Sequence, residues 1–447
     1  MLLLQLPQRY NEDTRYPNRS GFSRGVRSSP NSRPESVERA VNRRVFSQLL
    51  AFGAGLLSAS PREAAAQDDS QDMQGDAGGN ATAAREAAEN PLATLPVTVE
   101  DFIPLAKAKL PKPTFDYITT GSEDQVTLRD NVEAFRRIRV LPPLLHGVSE
   151  VDLSTTVLGE KIALPVMLAP VAALRMFHPQ GARASARAAA RAGTIAIPST
   201  SAHNSLEEIA QASDGPKWFQ LYAPRDRDVA LKLVRRAEKT GYKALVVTVD
   251  LGERKDSDLR NRFFVPQDFL LKHLRDCGFT HLTEKNTYEE LVAFNLQAWD
   301  PSLSLDFFLW LRKQTKLPII LKGVLTKKAA LQAVQLGLDG IVVSNHGGRR
   351  LDGMPASIDV LKDVVSVAGD QLEVYFDSGI RRGGDVLKAL ALGARAVLIG
   401  RPQAWALAAG GETGVKRVLD ILRDELTNAM LASGCRTVSE IDDSLLI

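Results

Sequence analysis

The sequence predicts an α/β fold of the (β/α)8 or TIM-barrel class, with capping helices before the first strand and an inserted lid before the fifth. Three observations carry that expectation. Eight short apolar runs alternate with helical patterns, most runs end on a polar residue, and the loops after the last two runs hold glycine and arginine. On the alternation alone, an open doubly wound sheet is the runner-up.

The runs are 165–169, 194–198, 218–221, 244–249, 318–321, 340–343, 373–376 and 396–399. Between them, 180–192, 226–240, 326–336 and 383–392 read as helices. The closing residues are Ser199, Gln220 and Tyr222, Thr248 and Asp250, Lys322, Ser344 and His346, Asp377, then Gly400 and Arg401. In a closed barrel the strand ends converge on one face, so these side chains would line one pocket, whereas an open sheet would scatter them.

Ahead of the first strand, 97–110 and 117–135 read as helical, with Pro111 and Pro113 as breaks and Gly121 as a turn. Such helices would cap the barrel and bring Tyr117 over its mouth. The insertion 264–301 reads as a mobile lid. Its apolar residues are interrupted by Asp, Lys, Arg and Glu, unlike a membrane-inserting patch.

Residues 1–66 form a leader without hydrophobic periodicity until Asn42-Arg43-Arg44-Val45-Phe46-Ser47, which precedes an apolar stretch, 48–59, and a small-residue site at 64–67. That order predicts a twin-arginine export signal and an exported, periplasmic protein, or a cytoplasmic one if the signal is unused. The apolar stretch falls short of the about 20 residues that span a bilayer. Residues 67–95 read as a flexible tether and 96–447 as the catalytic domain. Without residues 1–66 the chain keeps 46 Lys+Arg against 48 Asp+Glu, a formal charge of −2 in place of +3. The basic balance belongs to the leader, and no basic stripe argues for nucleic acid. Cys277 and Cys435, the two cysteines, give no disulfide framework and are taken as unpaired.

The chemistry is expected at 341–359, where the β-branched run from Ile341 to Val343 stops at Ser344-Asn345 and delivers His346, Gly347, Gly348 and Arg349. The glycines let the backbone turn tightly beside a flat ligand. An imidazole and a guanidinium three residues apart could act as a base beside a carboxylate clamp. The loops after the seventh and eighth strands, 377–385 and 399–402, expose glycine N–H groups beside Arg381 and Arg401. They suit a phosphate, whether of a flavin or of a phosphorylated substrate.

The run Ser344-Asn345-His346-Gly347-Gly348-Arg349-Arg350-Leu351-Asp352 resembles the signature of the FMN-dependent α-hydroxy acid oxidase and dehydrogenase family, and the resemblance extends from about Pro96 to the C-terminus. It implies FMN, without a metal, and oxidation of a small L-2-hydroxy acid, lactate or glycolate-like, to the 2-oxo acid. His346 would be the base, Arg349 the carboxylate ligand, and Asp250 the group that orients the base. Tyr117 and Tyr222 match the substrate tyrosines, in the contexts F-D-Y-I-T-T-G-S-E-D-Q and F-Q-L-Y.

For the flavin, the resemblance implies backbone contacts from Pro170, Val171 and Ala172 and ring-edge contacts from Ser199, Gln220 and Thr248. Lys322 would stand beside N1, where a cation offsets the charge of the reduced ring. A lysine ending an apolar strand costs too much to bury unpaired, which independently favours a ligand partner. Ser344, Asp377, Ser378, Gly379, Ile380, Arg381, Gly400 and Arg401 would complete the ribityl and phosphate contacts.

One departure stands out. The family's second carboxylate-binding arginine lies after the fourth strand, where this sequence has a shortened loop that places Lys255 at the position and Arg254 one residue before it. A planar fork suits a carboxylate better than an ammonium, so Arg254 is preferred. Ser201 stands where glycolate oxidases carry a large aromatic, which predicts a differently shaped side-chain pocket. Oxygen, a quinone or a cytochrome would reoxidise the flavin, and relatives suggest a tetramer. Two other readings are an FMN-dependent isomerase of the isopentenyl diphosphate type and a non-catalytic exported flavin-binding protein.

Overall fold

The structure, a computed structural model, describes residues 95–250 and 262–447. The leader, nearly all of the tether, Arg254 and Lys255 lie outside the described residues. Among the described residues no helix is long and apolar enough to cross a membrane.

Among the described residues nine strands follow in chain order: β1 (Thr155–Val157), β2 (Glu160–Ile162), β3 (Val166–Leu168), β4 (Phe219–Leu221), β5 (Leu245–Thr248), β6 (Ile319–Val324), β7 (Gly340–Val343), β8 (Glu373–Asp377) and β9 (Ala396–Ile399). The last seven form one parallel sheet in the order β3-β9-β8-β7-β6-β5-β4. Its two edges are joined by residues 194–199, which bridge Leu168 through Ala196 and pair Ser199 with Gln220. The N–H groups of Leu168 and Trp218 donate to the carbonyls of Ile195 and Ala196, and Ile197 N–H donates to the Leu168 carbonyl.

The second expected strand therefore fills its place in the ring without forming a continuous ladder. Pro198 has no N–H to donate, so its contribution reduces to the carbonyl that accepts from Gln220. The ring closes, as the converging polar residues require.

Side chains alternate along each stave. In β9, Ala396 and Leu398 point into the barrel with Met167, Trp218, Val246, Ile320, Val342 and Tyr375, while Val397 and Ile399 pack outward against helices. The β1–β2 hairpin, absent from the sequence expectation, adds Val157 and Ile162 to the same inner cluster. Leu158 and Gly159 turn it with φ of 47° and 82°.

The capping helices are α1 (Phe102–Lys109), α2 (Lys112–Thr119) and α3 (Val126–Arg137). Pro113 stands in the first turn of α2, where its missing N–H costs nothing, so the prolines open a helix as well as end one. The insertion carries helices Gln267–Asp276 and Tyr288–Ala298 around their own apolar cluster, which includes Leu270, Leu274, Phe279 and Leu291. Thr287 and Glu290 close a capping box at the start of the second.

Candidate active site

The strand ends surround a cavity of about 420 Å³. Of the expected site residues, Tyr117, Pro170, Val171, Ala172, Tyr222, Thr248, Lys322, His346, Arg349, Asp377, Ser378, Gly379, Ile380, Arg381, Gly400 and Arg401 line it directly. Asp250, Ser199, Gln220 and Ser344 stand one layer behind and act on it through hydrogen bonds. Arg254 falls outside the described residues.

His346 follows β7 with φ 58°, a left-handed conformation uncommon outside glycine and characteristic of functional loops. Ser344 Oγ accepts its backbone N–H at 3.0 Å, and Gly347 N–H donates to Ser378 Oγ at 3.0 Å. A reciprocal pair of buried amides holds the base of this loop. Asn131 of α3 donates to Asn345 Oδ1 at 2.9 Å and Asn345 donates back to Asn131 Oδ1 at 2.7 Å.

The imidazole Nδ1 lies 3.0 and 3.1 Å from the two carboxylate oxygens of Asp250. Asp250 has room because Gly323, at the bulge of β6, has no side chain: a Cβ there would lie 2.8 Å from Asp250 Cβ. Burial would raise the carboxyl pKa, but His346, Lys322 and Arg350 together hold it well below the usual range. Burial likewise pushes His346 down to about 3, against the pull of Asp250. The resting pair is a carboxylate and a neutral imidazole. With Nδ1–H directed at Asp250, Nε2 keeps its lone pair for a proton.

Lys322 is buried at 3 % exposure and satisfied on two sides, with Asp377 Oδ2 at 2.8 Å and Ser344 Oγ at 2.8 Å. Burial opposes its charge, yet Asp377 and Asp250 outweigh it and raise its pKa, so the ammonium persists. Beside it runs a polar relay: Ser199 Oγ donates to Gln220 Oε1 at 2.6 Å, and Gln220 Nε2 donates to Thr248 Oγ1 at 3.0 Å. Only Thr248 of the three reaches the cavity wall.

Guanidiniums also line the cavity. Arg381 and Arg401 are half-buried, and desolvation lowers both, Arg381 to about 10; Arg349 and Arg381 depress Arg401 further. Arg401 donates to the carbonyls of Ile118, Gly347 and Thr120 at 2.9, 2.8 and 3.0 Å, tying the cap to the loop after β7. Arg349 lies 4.6 Å over the Tyr117 ring and donates to the carbonyls of Tyr117 and Thr120. Tyr117 in turn stacks on Phe263 at 4.0 Å.

A family model described as FMN-dependent dehydrogenase matches residues 106–447. Human 2-hydroxyacid oxidase 1 is 46% identical over 356 residues, 78% of this chain and 96% of that protein. Spinach (Spinacia oleracea) glycolate oxidase is 47% identical over 349 residues, 77% of this chain and 94% of that protein. The chain belongs to the FMN-dependent dehydrogenase family. The crystal structure of a mandelate oxidase, 40% identical, superimposes with a TM-score of 0.71 over 79% of this chain and 98% of that one. An active (S)-mandelate dehydrogenase variant, 36% identical, gives 0.73 over 78% and 99%.

Membership in the FMN-dependent dehydrogenase family makes FMN the cofactor, and the residues fit it. Three mutually repelling guanidiniums in one cavity, with the N-terminus of the helix Arg401–Ser433 directed at it, call for a bound anion such as a phosphate. Lys322, Thr248 and the backbone of 170–172 offer a polar edge for a flat ring. These relatives support neither the isomerase nor the non-catalytic reading.

The cavity also takes in residues the sequence did not single out. Arg350, Phe263 and Leu296 line it, the last from the insertion helix Tyr288–Ala298. The doubled arginine at 349–350 was the visible signal for the first. Nothing in the insertion marks Leu296 apart from other leucines.

Proposed function

We propose that this FMN-dependent 2-hydroxy acid oxidase or dehydrogenase takes a small L-2-hydroxy acid of the lactate or glycolate class and that His346 is its base. The His346–Asp250 contact, at the wall of a cavity also lined by arginines, carries the reading. Arg349 supplies the charge for the substrate carboxylate, with Tyr117 and Tyr222 on the same rim. Nε2 of His346 takes one proton from the substrate, and Asp250 stabilises the imidazolium that results. When bound, FMN would accept the two electrons together with the substrate's second hydrogen as the hydroxy acid becomes the 2-oxo acid. General-base help of this kind is worth about 100- to 10,000-fold.

Anaerobic mixing of the holoenzyme with lactate, glycolate and mandelate tests the substrate class: flavin colour should bleach with one of the first two, with one equivalent of 2-oxo acid formed. Bleaching by mandelate alone would overturn the small-substrate assignment. Oxygen, a quinone or a cytochrome takes the electrons onward, and comparing reoxidation in air with reoxidation by an artificial quinone separates these. The twin-arginine pattern in the leader supports export to the periplasm. Residues 1–66 fused to a folded reporter should export it, and Arg43→Lys with Arg44→Lys should abolish that; a cytoplasmic reporter in both cases would refute it. A tetramer is the expected assembly, read by sedimentation.

A further inference from the structure

Arg350 has no part in the chemistry above, yet it lines the cavity beside the reacting group. Its Nε lies 3.3 Å from His346 Nδ1, the nitrogen that also faces both oxygens of Asp250. Nδ1 cannot donate a proton to Asp250 and accept one from Arg350 at once. With Asp250 ionised, a lone pair on Nδ1 would face a carboxylate at 3.0 Å, so the proton resides there. The guanidinium then acts on the pair through its charge, attracting the carboxylate and opposing a second proton on the ring.

Charged and titratable groups from several elements surround the same cavity. Asp250 follows β5, Lys322 ends an apolar stretch of β6, Arg349 and Arg350 share the loop after β7, Tyr222 follows β4, and Tyr117 comes from α2. Lys322 is matched by Asp377 of β8, and Arg349 is turned to the carbonyls of Tyr117 and Thr120. Among the described residues, this leaves Asp250 and Arg350 as the closest opposed charges at the ring.

We propose that Arg350 is a positioning residue that sets the protonation balance of the Asp250–His346 pair, keeping the carboxylate anchored and the resting imidazole neutral with Nε2 free. The proposal rests on His346 as the base for its kinetic consequence, though not for its effect on the ring. It predicts that this enzyme works at lower pH than it would with a neutral residue at 350.

The test is a titration of FMN-loaded protein labelled with 15N in histidine, with the His346 signals assigned by their loss in H346Q. In R350Q the His346 midpoint should rise by about one unit, and in R350E by about two or more, into the range near pH 5 to 6. R350K should stay near wild type. The acidic limb of the kcat/KM profile should move with the NMR midpoint, while KM at pH 8 changes by less than about threefold. A His346 ring that remains mostly neutral at pH 4 in R350E, as in wild type, overturns the proposal. So does a KM raised tenfold or more with an unmoved limb, which would make Arg350 a substrate-carboxylate ligand. An NMR midpoint that moves while the limb does not would sustain the role of Arg350 and refute His346 as the base.

Discussion

Replacing Lys322 with methionine should destabilise the protein by about 3 to 5 kcal/mol, the usual cost of stranding one member of a buried ion pair. That magnitude follows from the surroundings. Lys322 is 3 % exposed and Asp377 7 %, their charged atoms are 2.8 Å apart, and methionine refills the aliphatic stem without the charge. Asp377 keeps the hydrogen bond from Ser378 Oγ at 2.8 Å, so its carboxylate is not wholly abandoned, which favours the lower half of that range. Adding Asp377→Asn removes the stranded charge and should recover about 2 kcal/mol, which makes the double variant more stable than the single one. Urea denaturation of flavin-free protein at pH 7.5 reads the pair without the mass-action contribution of FMN. A loss below about 1 kcal/mol, or no recovery on adding Asp377→Asn, would refute the account of this pair.

Acid should weaken the fold well before carboxylates titrate. Burial is the main cause that lowers His203, His273 and His346, to about 3, 4 and 3 respectively. The unfolded chain takes up these protons near pH 6.5, the folded one only near 3 to 4, so stability is full above 6.5 and falls as pH drops. Each histidine contributes about 1.4 kcal/mol per pH unit, so urea midpoints should report about 4 kcal/mol less stability at pH 5.5 than at 7.5. Equal stability at the two pH values would contradict this, and His203→Leu should remove about a third of the slope. Gly379→Ala should cost about 3 kcal/mol or more and impair FMN binding. The backbone there has φ 96°, and a Cβ would lie 2.0 Å from the Asn131 carbonyl oxygen; an alanine variant with wild-type melting and flavin content would refute that.

Most of the barrel could be read from the chain because its staves are short apolar runs ended by polar residues, a pattern that few folds besides a closed parallel ring produce. Pro198 marks where that reading was too regular, since a residue without an N–H can hold a place in the ring but not a ladder. The hairpin at 155–162 escaped because its strands are three residues each and only two of its side chains, Val157 and Ile162, join the inner cluster. At the site, His346 and Arg349 were legible beside their glycines. Arg350 was marked only by the doubled arginine, and it is the turn through Gly347 and Gly348, with φ of 67° and 70°, that brings both arginines to the cavity. The Asn131–Asn345 pair joins positions 214 apart, a contact that no local pattern encodes.

The central claim is that the imidazole of His346, oriented by Asp250, takes the substrate proton as FMN is reduced. Single-turnover mixing of wild type and H346Q, each fully loaded with FMN and free of oxygen, with saturating hydroxy acid measures that step alone. The account predicts that wild type bleaches and that H346Q bleaches at least about 100-fold more slowly with its flavin still bound. Equal rates of bleaching in the two proteins would contradict it.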